Sequence, residues 1–95
     1  MKKNTSPRRV LLRCHLAGTH YGTVVRESEG RVVLRDACKV WSWAGAHTHH
    51  EMAQTGPGSG SRVTVRSPEM SIALSDVIEC HIVTATDSAF SAQWK

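Results

Sequence analysis

The segment from Tyr21 to Asp36 constrains the fold more than any other part of this sequence. Val32 and Leu34 fall on one side of an extended chain, and Arg31, Val33 and Arg35 fall on the other, the period of two that a strand imposes. Ser28-Glu29-Gly30 reads as a compact turn in which glycine supplies a positive φ, and Tyr21 to Glu27 reads as the strand before it. A hairpin at this position excludes an all-helical fold. The same grammar of short runs and breaks continues in both directions. Val10 to His15 is a predicted strand, ended by Ala17-Gly18, and Lys39 to Trp43 is another, with Trp41 and Trp43 side by side on one face. Arg62 to Arg66, Met70 to Leu74 and Val77 to Thr84 follow, the last being the most apolar.

Between these strands, Ala46 to Thr55 has the composition of a short helix, with Thr48 as its cap and Glu51 completing a capping box. Gly56-Pro57-Gly58-Ser59-Gly60-Ser61 is a flexible linker, so residues 46–61 form a helix-plus-linker insert. Residues 1–7 are basic and aperiodic and read as a disordered tail, leaving 8–95 as one β-rich domain. A weak helix is expected from Ala85 towards Trp94. Arg31–Arg35 and Arg62–Arg66 are near copies, and two independent amphipathic strands with solvated arginines account for both. The fold class is α+β and β-dominated: a strongly bent antiparallel sheet of five to seven strands, or a small barrel, with one short helix.

Charge narrows the partners. Twelve Lys and Arg face eight Asp and Glu, but four of the bases lie in the first nine residues, and the remainder of the chain is neutral. A compact basic face of the kind that reads nucleic acid by sequence is therefore not expected. No apolar run approaches the ~20 residues that cross a bilayer, and no apolar stretch of a signal peptide opens the chain, so neither a membrane nor a secreted setting is predicted. Cys14, Cys38 and Cys80 are odd in number and widely spaced. They form no C-x-x-C pair and read as small buried residues of a reducing compartment. A domain of this size gains from self-association, and its short strands leave edges that must be paired, charged or covered. A homo-oligomer is expected, a dimer first and a ring as the alternative.

Two resemblances sharpen these expectations. Tyr21-Gly-Thr-Val-Val-Arg-Glu-Ser-Glu-Gly-Arg-Val-Val-Leu-Arg-Asp-Ala37 looks like the strand–turn–strand core of an Sm-like small barrel, which implies an Sm/SH3-like shape and no particular ligand. Three further segments resemble a family of small phage and prophage proteins classed as a domain of unknown function. They are Ala17–Thr23, Val32–Ala46 and Ile72–Val83, the second with Trp41, Trp43, Gly45 and Ala46 in order and the last followed by a late Trp94. That resemblance implies a phage accessory gene and supplies no activity. In the helix, His49 and His50 replace residues that are usually apolar or small in that family.

The sequence offers few catalytic constellations. His47-Thr-His-His-Glu51 would set His47 one helical turn from His50 and Glu51. The three are weak candidates for holding a transition metal, because zinc-enzyme orders such as His-Glu-x-x-His are absent. Surface histidines of a polar helix account for the cluster, and no metal or other cofactor is expected. There is no Gly-x-Ser-x-Gly elbow and no phosphate-cradling Gly-x-x-x-x-Gly-Lys loop. A Cys14–His81 dyad could arise only from the fold, so a non-enzyme is predicted. Trp41 and Trp43 are either core residues or a stacking platform, with Arg35 and Arg66 as the outward arginines that would meet phosphate. The expected function is that of a phage-encoded, non-enzymatic binding protein in the host cytoplasm. It would counter host defence by sequestering a small nucleotide-type ligand in a pocket between protomers. The alternatives are an inhibitor that grips a host protein through an exposed face, and a minor phage structural protein.

Overall fold

The computed structural model describes residues 8–42, 48–58 and 61–92. Six strands form one antiparallel sheet: β1 (Arg8–Cys14), β2 (Thr19–Ser28), β3 (Arg31–Ser42), β4 (Arg62–Val63), β5 (Ser67–Ala73) and β6 (Val77–Ile82). β6, β1, β2 and β3 lie side by side in that order, and the far edge of β3 is shared by β5 and β4. One helix, α1 (His49–Thr55), follows β3. Two short 3-10 turns, Leu74–Asp76 and Asp87–Phe90, complete the described elements.

The predicted hairpin forms as a two-residue turn. Glu29 and Gly30 take φ of 54° and 75°, and Ser28 pairs with Arg31, the geometry whose twist matches that of the flanking strands. Beyond it, β3 runs unbroken for 12 residues, where two strands, 31–36 and 39–43, were expected. They are joined because Asp36 adopts φ 50° and forms a bulge against β2, between the Tyr21–Cys38 and Thr23–Arg35 pairs. The bulge bends the strand without ending it. Its first half carries β5 and its second half carries β4.

The bend gives the sheet two apolar faces. On the inner face Val10, Leu12, Val24, Val32, Leu34, Ala37 and Ile72 pack together. Gly22 is needed there, because a Cβ on it would stand 3.0 Å from Leu34 Cβ and 3.2 Å from Ala37 Cβ. On the outer face Leu11, Tyr21, Cys38, Val40 and Val63 are covered by Met52 and Ala53 of α1 and by Val83, Ala85 and Phe90. A seven-residue helix has no stability of its own. Thr48 Oγ1 caps it by accepting the Glu51 N–H at 3.1 Å, and Ala53 O accepts the N–H groups of Thr84 and Ala85. Full burial of Met52 contributes roughly 1.5–3 kcal/mol. The helix runs from His49 behind its Thr48 cap, and positions 46 and 47 of the expected helix lie outside the described residues.

The sheet is not closed into a barrel. β1 and β3 both run antiparallel to β2, so β5 and β6, antiparallel to β3 and β1, run in the same sense. Adjacent parallel strands need a crossover of a dozen or more residues, and here a three-residue turn joins them. β5 and β6 therefore follow one another around the bend and share no ladder. β4 is also shorter than the expected 62–66 strand: its ladder with β3 ends at Val63, and after it Thr64 continues, donating its N–H to Lys39 O at 3.0 Å.

Candidate functional site

Trp41 lies where β3 bulges against β4, between the Val40–Val63 and Ser42–Arg62 pairs. Its side chain is 44% exposed, so it belongs to the surface and not to the core. The Arg62 guanidinium carbon lies 5.2 Å from the centroid of its ring, within cation–π range. No described contact joins Trp41 to Arg35 or Arg66. Arg62 takes the place that the sequence suggested for those two, and Trp43 lies outside the described residues.

Arg66 is a correction. Its alternation with Val63 and Val65 suggested a solvated strand residue, but the strand ends before it and the side chain turns onto the C-terminal segment. Its guanidinium donates to Asp36 O (3.0 Å), Asp87 O (3.1 Å), Asp87 Oδ1 (3.3 Å) and Phe90 O (3.4 Å), and it lies 5.1 Å from the Tyr21 ring centroid. Tyr21 stacks on Phe90 with centroids 4.0 Å apart and donates its hydroxyl to Asp87. Arg9 completes the clasp by donating to Ala85 O at 2.6 Å. The hydrogen bond from Tyr21, and then Arg66, hold the Asp87 carboxyl below the usual carboxylate range. Burial, and then Asp87, push the Tyr21 phenol up. Arg35 is exposed and lies between Thr23 and Glu69 in the sheet, and among the described residues its side chain makes no hydrogen bond or ion pair.

The histidines are distributed among separate tasks. His49 Nε2 meets Thr19 Oγ1 at 2.7 Å, and burial lowers its pKa. His50 Nε2 lies 2.8 Å from Gln54 Nε2, and its ring packs edge-on to His81, centroids 5.8 Å apart. His47 lies outside the described residues, and Glu51 contributes its backbone to the helix cap. Among the described residues, no three His, Cys, Asp or Glu side chains gather in a way that could hold a metal ion. Nor does a Cys14–His81 dyad form. Cys14 packs in the inner cluster, whereas His81 pairs with Leu11 on the face that carries α1. Cys14 and Cys38 are buried, and desolvation pushes the Cys38 thiol up to about 11. Cys80, expected to be buried like them, is exposed on an edge strand.

A cleft with no marker in the sequence lies between the β1–β2 loop, β5 and the 3-10 turn Leu74–Asp76. It has a volume of about 620 Å³ and is lined by His15–Ala17, Arg31, Met70–Ala73 and Asp76, within the ~300–1,000 Å³ range of small-molecule sites. Asp76 holds the loop by accepting the N–H groups of Leu16 (2.8 Å) and Ala17 (2.9 Å). Those bonds lower its pKa, Ala17 contributing most. Arg31 is tied to Ser71 Oγ at 3.0 Å. Leu16 stands 84% exposed at the rim. The cleft joins residues 15–17, 31 and 70–76, and no local motif could have marked it.

Comparison with known families assigns the chain. A family model described as a domain of unknown function (DUF6948) matches residues 7–93, and the chain belongs to that family. No curated protein and no solved structure matches it. Among the described residues, no helix is long and apolar enough to cross a membrane.

Proposed function

We propose that this protein is a non-catalytic binding protein, working as a homo-oligomer, whose ligand is a small nucleotide-type molecule stacked at Trp41. The observation that carries the reading is a half-exposed indole with the Arg62 guanidinium at its face. An aromatic surface offers any base a stacking partner, and an adjacent arginine offers phosphate a charge-assisted contact. Apolar ring and fixed cation together suit an amphipathic, anionic ligand. The proposal includes the phage accessory gene that the sequence resemblance implies, and places its action in the host cytoplasm against a host defence.

The test is a thermal-shift screen of mono- and dinucleotides on the wild type and on Trp41→Ala. A ligand at a hundred times its Kd stabilises the folded state by about 2.7 kcal/mol, a rise of several degrees. The expected result is a nucleotide-dependent rise that Trp41→Ala loses while keeping its own melting temperature. A wild type that no member of the panel shifts at millimolar concentration overturns the reading. A second reading, inhibition of a host protein, is favoured by the exposure of Leu16 (84%) and Val65 (76%). It predicts co-purification of one host protein, lost on changing either residue to Asp.

A further inference from the structure

We propose that β6 is the surface on which two copies of this chain meet, pairing antiparallel about a two-fold axis that passes through Cys80. The inference rests on the self-association in the reading above and names the surface that performs it. β6 is an edge strand whose single described neighbour is β1. Val83 donates its N–H to Arg9 O at 3.0 Å, on the β1 side. Alternating back along the strand, His81 and Glu79 also turn their polar backbone groups to β1, paired with Leu11 and Arg13. Ile82 and Cys80 turn theirs outward. The side chains of Ile78, Cys80 and Ile82 are exposed in the same stretch, the two isoleucines by 53% and 57%.

Edges are usually blunted by proline, charge or brevity. β5, the other long edge, carries Pro68 and Glu69. β6 carries a bulge at Ile78 and a glutamate, Glu79, that Arg13 and His81 hold on the α1 face, and its other face presents two isoleucines and a cysteine. A strand with outward backbone groups and an apolar row is a template for another strand, and its symmetry indicates which. Centring the pair on Cys80 sets Ile78 against Ile82 of the second copy, twice, and Cys80 against its counterpart. On the opposite face, where Glu79 is already held by Arg13 (3.2 Å) and His81 (2.9 Å) of its own chain, it sets Glu79 against His81 of the second copy, again twice, extending that network across the seam. Sliding the centre to Glu79 keeps the backbone pairing but sets one Glu79 carboxylate against the other, and like charges directly opposite are destabilising; sliding it to Glu79 or to His81 also loses both isoleucine pairs. Apolar pairing and the avoidance of opposed Glu79 carboxylates therefore select one register, which is the isologous arrangement of a closed dimer. A slide by an odd number of residues fails outright, because it sets outward backbone groups against inward ones.

The experiment uses the full chain and combines sedimentation equilibrium with thiol cross-linking. Directly opposed residues in such a pair have Cα atoms about 5.5 Å apart, and Cys80 is the exposed thiol of the three. The wild type is expected to sediment as a dimer and to be trapped as a covalent dimer by a short bis-maleimide. Cys80→Ser should keep the dimer mass and lose the cross-link. The variant carrying Ile78→Lys with Ile82→Lys, changed at exposed positions, should keep its far-UV spectrum and raise the dimer Kd at least about tenfold. A monomeric wild type at high concentration overturns the self-association reading and this inference together. An oligomer that survives both lysines and resists cross-linking at Cys80 overturns the β6 surface and leaves self-association standing. If the lysine variant does not fold, the cross-link on the wild type decides alone.

Discussion

Replacing Arg66 with alanine separates a structural arginine from a ligand-binding one. The two shorter bonds, to Asp36 O at 3.0 Å and Asp87 O at 3.1 Å, are charge-assisted, and such bonds have a net worth of roughly 1.5–3 kcal/mol each. The side chain keeps 27% exposure, so water replaces part of what is lost and the lower end of that range applies. The two longer bonds are weaker, and the contact with Tyr21 adds about 0.5–1 kcal/mol. Arg66→Ala should therefore cost about 2–4 kcal/mol of a total that is of the order of 5–15 kcal/mol for a chain of this size. That corresponds to a fall in Tm of roughly 10–25 °C. Urea unfolding followed by far-UV circular dichroism measures it, with Arg35→Ala as the control. Arg35 has no described partner, and its removal should stay within about 0.5 kcal/mol of the wild type. If Arg66→Ala and Arg35→Ala prove equally harmless, the clasp does not hold the C-terminal segment and the reasoning fails.

Other outcomes follow from the same geometry. Gly22→Val should destabilise by about 1–3 kcal/mol through overpacking against Leu34 and Ala37, read by the same unfolding assay. Iodoacetamide should label Cys80 alone in the native protein and reach Cys14 and Cys38 on unfolding, as burial and the raised Cys38 thiol require. Burial lowers the pKa of His20, whose Nε2 lies 2.8 Å from Ala17 O. Its neutral form is the one the fold accepts. The stability it supports is complete above the ordinary imidazole value of about 6.5 and is lost as pH falls through that value towards the lower folded one. His20→Leu should flatten this part of the stability profile. Asp76 and Asp87, both lowered in the folded chain, support stability that is present above the ordinary carboxylate range and lost as pH falls below it. Asp76→Asn should remove its share of the acid-side slope while loosening the loop at Leu16 and Ala17.

Local chemistry was legible in the sequence, and tertiary bending was not. Glu29-Gly30 needs no partner to make its turn, and Thr48 with Glu51 needs one hydrogen bond to start a helix, so both can be read from a few neighbouring residues. The continuity of β3 depends on Asp36, a non-glycine residue held at positive φ by pairing on both sides, and composition gives no sign of that. Alternation alone placed Arg66 on a strand, whereas its partners lie 21 to 30 residues away in the chain. The run from Val77 to Thr84 reads as the most apolar strand, yet Ile78 and Ile82 stand in solvent because β5 cannot pair beside β6. At the candidate site, Trp41 was legible as an aromatic worth singling out. Arg62 was not, because a bulge decides which arginine reaches the indole.

The claim at the centre of this account is that Trp41 and Arg62 form one binding surface. A ¹H–¹⁵N correlation spectrum, recorded while titrating the nucleotide that gives the largest thermal shift, tests it most directly, because the three tryptophans give separate indole N–H signals. On one shared surface, the Trp41 indole and the Arg62 side-chain signal move together to a common plateau while the Arg66 signal stays in place. A saturable shift confined to residues 15–17 and 70–76, or an unmoved Trp41 indole in the presence of bound nucleotide, would contradict it.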